Sequence, residues 1–138
     1  MTQEHPPLKI LIIEDEADLA ELIAEAVSSY CPSRGMNVDV HTNPAEAMGA
    51  IFGQSLDAIF LDLHMPNING KKVLEIIREK SPLNKTTPVI IVSGMIEMIH
   101  EGENEPDFEN VYFIEKPVEA EKLQRVTQIL LAPKSVMA

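Results

Sequence analysis

The stretch of residues 8–16, Leu-Lys-Ile-Leu-Ile-Ile-Glu-Asp-Glu, decides the fold class, because a hydrophobic run ends abruptly in three acids. Residues 8–13 are nearly all apolar and half of them are β-branched, which is typical of a strand buried on both faces of a parallel sheet. The apolar residues of 17–30 then recur at helical spacing, which predicts an amphipathic helix. A buried strand followed at once by such a helix is the building unit of α/β folds.

The same alternation continues along the chain. Further strands are predicted at 37–41, 57–61, 88–93 and 111–114. A second helix is predicted from the Asn43-Pro44 start to Gly53, and a third, marked by Val73, Leu74 and Ile77, ends at about Lys80. Further helices are predicted at 95–100 and at 118–131. Residues 101–110 are acidic and contain Pro106, which predicts an irregular loop. Five strands alternating with helices predict one doubly wound five-stranded parallel sheet with helices on both faces.

Length and charge narrow the function class. With 138 residues the chain fits a single domain, and a net charge of −11 argues against a nucleic-acid or anionic-membrane binder. The sequence contains no run of 18 apolar residues, so we expect no membrane span. The first residues do not have the pattern of a signal peptide. Cys31 is the single cysteine, which rules out an internal disulfide and a cysteine-based metal site. We therefore expect a cytoplasmic protein.

Polar groups follow four of the predicted strands, at the sheet edge where α/β proteins bind ligands. They are Glu14, Asp15 and Glu16 after the first strand, Asp62 after the third, Ser93 at the end of the fourth and Lys116 after the fifth. Carboxylates bind Mg²⁺, and an aspartate can act as a nucleophile toward a phosphoryl group. A lysine and a hydroxyl stabilise the charge of that group. Each residue alone fits a turn, a helix cap or a solvated surface, but their joint occurrence indicates a phosphoryl site.

These segments resemble the receiver domain of bacterial two-component response regulators, over about residues 8–131. The resemblance rests on four blocks in order, namely Ile12–Glu16, Asp62-Leu-His-Met-Pro66 with Gly70, Ser93-Gly94 and Lys116-Pro117. It implies a flavodoxin-like (βα)5 fold with strand order 2-1-3-4-5. Residues 1–7 would then form a flexible lead and residues 132–138 a short tail.

The resemblance also implies a role for each matching residue. Asp62 would be phosphorylated by a histidine kinase or a phosphotransfer protein. Asp15 and Asp62 would bind Mg²⁺ directly, Glu14 would support it through water, and the backbone carbonyl of His64 would complete the site. Ser93 and Lys116 would contact the phosphoryl group. Ser93 and Phe113 would act as the switch, Phe113 by packing because it lacks a hydroxyl, and the bond before Pro117 would be cis.

The sequence leaves two alternatives to this regulatory, non-enzymatic function. Residues 101–110 depart from the family pattern, which motivates an interaction module that is no longer switched. A Mg²⁺-dependent phosphohydrolase also uses an aspartate at a strand end, but such families usually carry a second aspartate where this chain has His64. We expect a receiver that fills the chain and signals by binding a downstream protein, which the sequence does not name.

Overall fold

A computed structural model describes residues 6–30, 34–63, 65, 69–94 and 109–131. These residues form five strands and four α-helices. The strands are β1 (Leu8–Ile13), β2 (Met36–His41), β3 (Ala58–Leu61), β4 (Val89–Ser93) and β5 (Val111–Glu115). The helices are α1 (Ala17–Ser28), α2 (Pro44–Gly53), α3 (Gly70–Lys80) and α4 (Ala120–Leu131), with a 3₁₀ turn at Pro82–Asn84. All pairings are parallel and the order is β2-β1-β3-β4-β5, which confirms the predicted sheet.

The central strands are buried on both faces, as their continuous hydrophobic runs predicted. Because side chains alternate along a strand, β1 divides between two cores. Leu11 and Ile13 belong to a core that includes residues of α2 and α3, among them Ile51. Ile10 and Ile12 belong to a second core that includes residues of α1 and α4. Helices thus cover both faces, which confirms the doubly wound arrangement.

The boundaries of some elements differ from the predicted ones by one or two residues. Helix α1 ends at Ser28 rather than at residue 30, and the Tyr30 hydroxyl donates to the carbonyl of Leu131 at the end of α4. Strand β3 begins after Asp57, whose carboxylate accepts a hydrogen bond from the Lys9 amide. Strand β2 begins at Met36, β4 begins one residue later than predicted, β5 extends one residue further and α4 begins two residues later. The start of α2 is confirmed, because the Asn43 side chain accepts from the backbone amide of the second helical residue.

Strand β5 enters the sheet through a turn that α3 holds in place. Asn110 has a φ of 59°, in the left-handed region. The buried guanidinium of Arg78, near the end of α3, donates to the carbonyls of Glu109 and Asn110. The predicted helix at 95–100 and most of the predicted loop at 101–110 lie outside the described residues. So do residues 1–5 of the predicted lead and the tail at 132–138.

None of the described helices is both long enough and apolar enough to cross a membrane.

Candidate functional site

The parallel register brings the carboxyl ends of four strands together at one edge of the sheet. Ile13 of β1 pairs with Leu61 of β3, and Leu61 pairs with Ile91 of β4. Ser93, the last residue of β4, pairs with Glu115 of β5. The residues that follow these positions are therefore neighbours, as the sequence predicted.

Three carboxylates meet at this edge. Glu14, Asp15 and Asp62 each offer an oxygen, and these oxygens all lie within 4.8 Å of one another. Glu14 and Asp62 are buried, with 1% and 2% of their surface exposed, whereas Asp15 is half-buried. Backbone hydrogen bonds fix the two buried residues, since the Asp62 amide donates to the Ile13 carbonyl and the Glu14 amide donates to that of His41.

The side chain of Glu14 is only partly satisfied. Its Oε2 accepts a hydrogen bond from the Glu16 amide at 3.2 Å. Its Oε1 is buried and has no hydrogen-bond partner among the described residues. Burial, with the nearby charge of Asp62 as the second cause, raises the pKa of Glu14 from 4.5 to about 8. A buried carboxylate oxygen without a donor, next to other carboxylates, is the kind of group that a cation would satisfy.

Lys116 supplies positive charge to the site. Its Nζ lies 3.2 Å from Oδ2 of Asp62, 3.4 Å from Oε1 of Glu16 and 3.9 Å from Oε2 of Glu14. Burial lowers the pKa of Lys116, but the charges of Glu14 and Asp62 outweigh it, so the pKa lies above its usual value of 10.5. The backbone amide of Lys116 donates to the Ser93 carbonyl, and the Lys116–Pro117 peptide is cis, as predicted.

The two predicted switch residues lie on neighbouring strands. Ser93 ends β4 and is fully buried. Phe113 of β5 pairs with Ile91, is half-buried and packs against the core that α2 and α3 cover. The fourth predicted ligand, the His64 carbonyl, lies outside the described residues.

Gly70 closes the loop that follows Asp62. Its amide donates to the Leu63 carbonyl at 3.1 Å. A Cβ at this position would stand 2.3 Å from the Leu63 Cα and 2.6 Å from the Asp62 carbonyl oxygen, so any other residue would force the backbone to shift. The sequence identified Gly70 only as a member of a motif, whereas the structure shows that close backbone contact requires it.

The contact between Glu16 and Lys116 was missed by the sequence analysis. Glu16 was assigned no role there, because an acid before a helix is common. The signal that could have found it is the residue type, since glutamate is not among the preferred N-cap residues.

The family of the chain follows from comparison with known proteins. Residues 10–128 match the family model described as the response regulator receiver domain. The chain belongs to this family. Receiver domains are regulatory and generally accept phosphoryl groups. The response regulator ArlR of Staphylococcus saprophyticus is 35% identical over 86 residues, which are 62% of this chain and 36% of that protein. The chain thus matches about a third of the length of this curated relative.

Solved receiver structures share the fold. The receiver domain of a Francisella response regulator superposes with a TM-score of 0.70 at 26% identity, covering 89% of this chain and 95% of that one. The phosphorylated cyanobacterial phytochrome response regulator RcpA superposes with a TM-score of 0.73 at 22% identity, covering 96% and 99%. These likenesses agree with the flavodoxin-like order of the sheet.

Proposed function

We propose that this receiver domain accepts a phosphoryl group on Asp62 from a phosphohistidine donor, with Mg²⁺, and that phosphorylation changes its binding to a partner protein. One observation carries the proposal. A buried aspartate at a strand end has two other carboxylates within 4.8 Å and an ammonium group at 3.2 Å. This is the charge arrangement that phosphoryl transfer to a carboxylate requires.

In the proposed reaction a carboxylate oxygen of Asp62 attacks the phosphorus atom of the donor. A phosphorus–oxygen bond forms and the phosphorus–nitrogen bond of phosphohistidine breaks. The electron pair of the broken bond stays on the imidazole nitrogen, which then takes a proton from water. Lys116, already next to Asp62, is placed to stabilise the negative charge on the phosphoryl oxygens.

The residues of the site fit a magnesium ion. Hard oxygen ligands are present, and Oε1 of Glu14 is a buried oxygen without a hydrogen-bond partner among the described residues, which a cation would satisfy. Asp15 and Asp62 would hold the ion directly, Glu14 would support it through water, and the His64 carbonyl would complete the protein ligands. Bound Mg²⁺ would supply positive charge to the phosphoryl oxygens.

The signal would leave the site through Ser93 and Phe113. The buried Ser93 hydroxyl is the proposed partner of a phosphoryl oxygen. Phe113 would respond by repacking against the core, since its ring carries no hydroxyl. We further propose that residues 8–131 form the receiver unit, with 1–7 and 132–138 as lead and tail. The proposed setting is the cytoplasm, with a histidine kinase or phosphotransfer protein as donor.

Intact-protein mass spectrometry tests this proposal. The protein is incubated with Mg²⁺ and phosphoramidate, a small donor with a phosphorus–nitrogen bond. We expect a gain of one phosphoryl group in the wild type and none in Asp62→Asn, which keeps the size of the side chain. A gain that survives Asp62→Asn would place the modification elsewhere. No gain in the wild type would favour the unswitched interaction module instead.

A further inference from the structure

Glu16 occupies the N-cap of α1 without capping the helix. Its backbone is extended, but its side chain accepts no hydrogen bond from the first turn. In most helices the N-cap side chain satisfies one of the free amides there. The carboxylate of Glu16 instead reaches across the site to the Lys116 ammonium, at 3.4 Å.

Lys116 is therefore shared by an inner and an outer set of carboxylates. The inner partners, Glu14 and Asp62, are buried. The outer partner, Glu16, has 64% of its side chain exposed. An ion pair with an exposed partner is weak and screened by salt, so it exchanges readily for a stronger partner.

A phosphoryl group on Asp62 would be such a partner. It brings additional negative oxygens to the side chain that already lies 3.2 Å from the Lys116 Nζ. A lysine ammonium has three donor hydrogens and binds as a compact point charge, so its position follows the nearest strong anions. The ammonium must give up contact with Glu16 to the extent that it moves toward those oxygens.

We propose that Glu16 is a positioning residue, which holds the Lys116 ammonium toward the mouth of the site and competes with the incoming phosphoryl group for it. This inference rests on the proposed phosphorylation of Asp62. Loss of the competing carboxylate makes the lysine more available to the transferring group and speeds phosphorylation. Because one exposed ion pair is involved, the expected change is about two- to fivefold.

The test compares initial rates of phosphorylation by phosphoramidate, at fixed Mg²⁺ and low salt, in three variants. Glu16→Gln removes the charge. Glu16→Asp keeps the charge but shortens the side chain, so that it no longer reaches Lys116. Glu21→Gln, at an exposed position of the same helix, is the matched control. We expect both Glu16 variants to be about two- to fivefold faster than the wild type, and Glu21→Gln to be unchanged.

A second measurement reports on the contact itself. Burial lowers the pKa of Lys116, and Glu16 is among the carboxylates that raise it. NMR titration of the Lys116 side chain should therefore show a lower pKa in Glu16→Gln than in the wild type, and no change in Glu21→Gln.

The outcomes separate this inference from the proposed function. Phosphorylation of the wild type with unchanged rates in both Glu16 variants would overturn the role of Glu16 and leave the function of Asp62 in place. A rate for Glu16→Asp equal to that of the wild type would also overturn it, because general repulsion of the anionic donor would then explain the Gln variant. Absence of phosphorylation in the wild type would refute both.

Discussion

The ionisation of Glu14 should make the stability of the folded protein depend on pH. In the folded protein without a metal ion, the pKa of Glu14 is about 8, against an ordinary value of 4.5. Between these values the unfolded chain releases a proton that the folded chain retains. The contribution of Glu14 to the free energy of unfolding is therefore fully present below pH 4.5. It is lost progressively as the pH rises from 4.5 through 8. We therefore predict that Glu14→Gln, which cannot ionise, removes this loss.

The size of the effect follows from the same values. One pKa unit corresponds to about 1.36 kcal/mol, so the wild type should lose up to about 5 kcal/mol between pH 4.5 and pH 8 from this group. This figure is an upper limit, because Glu14 interacts with Asp62 and Lys116 and the shift belongs to these charges together rather than to Glu14 alone. Mg²⁺ should act in the opposite sense, because a cation stabilises the ionised carboxylates and its binding releases the proton.

Urea unfolding in a chelating buffer, at intervals from pH 5 to pH 8, measures the prediction. The free energy of unfolding of Glu14→Gln should rise relative to that of the wild type as the pH increases. The difference between the two curves reports Glu14 together with the charges coupled to it, because the more distant titrating groups are common to both proteins. Glu21→Gln, the same change at an exposed position of α1, should follow the wild type. Parallel curves for Glu14→Gln and the wild type would refute the reasoning.

The packing of the protein and the proposed magnesium ligands predict how three other changes affect the stability of the folded state. Gly70→Ala should cost about 1–3 kcal/mol in urea unfolding because the methyl group meets backbone, whereas Gly49→Ala in open space on α2 should gain up to about 1 kcal/mol. Equal changes in the free energy of unfolding for Gly70→Ala and Gly49→Ala would contradict the close backbone contact at Gly70. Asn84→Ala should cost about 2–4 kcal/mol, because its buried side chain bonds several backbone groups, and a loss below about 1 kcal/mol would contradict this. Mg²⁺ at a hundred times its Kd should stabilise the wild type by about 2.7 kcal/mol in thermal unfolding. If the same Mg²⁺ concentration stabilised Asp15→Asn as much as the wild type, Asp15 would be excluded as a magnesium ligand.

The sequence predicted the sheet well because burial on both faces leaves a strong signal. Strand β1 was assigned its observed limits, Leu8–Ile13, from an unbroken apolar run. The end of α1 was less predictable because a distant contact lies beside it. The chain leaves α1 at Ser28, and Tyr30 then bonds to Leu131, a residue 101 positions away. No local pattern encodes such a contact.

In the site too, features that follow from a local sequence pattern were predictable, whereas contacts between distant residues were not. Asp62 and Lys116 were predictable because each directly follows a recognisable strand and parallel strands end at one edge. The glutamate at the N-cap could have suggested a partner outside the helix for Glu16. It could not have identified Lys116 as that partner, because the contact joins residues 100 positions apart and depends on side-chain reach. The unsatisfied Oε1 of Glu14 was not predictable either, since sequence does not reveal which oxygen of a carboxylate is buried.

Glu14 shows why this arrangement costs stability. A buried carboxylate beside another carboxylate, with one oxygen lacking a donor among the described residues, opposes folding at neutral pH unless it is protonated or compensated. Lys116 compensates only part of the charge, because it also contacts Asp62 and Glu16. A neutral side chain at position 14 would relieve the conflict but would also remove the negative charge that attracts a cation. The raised pKa of Glu14 and the proposed affinity for Mg²⁺ thus have one electrostatic cause, so a variant that abolishes one should weaken the other.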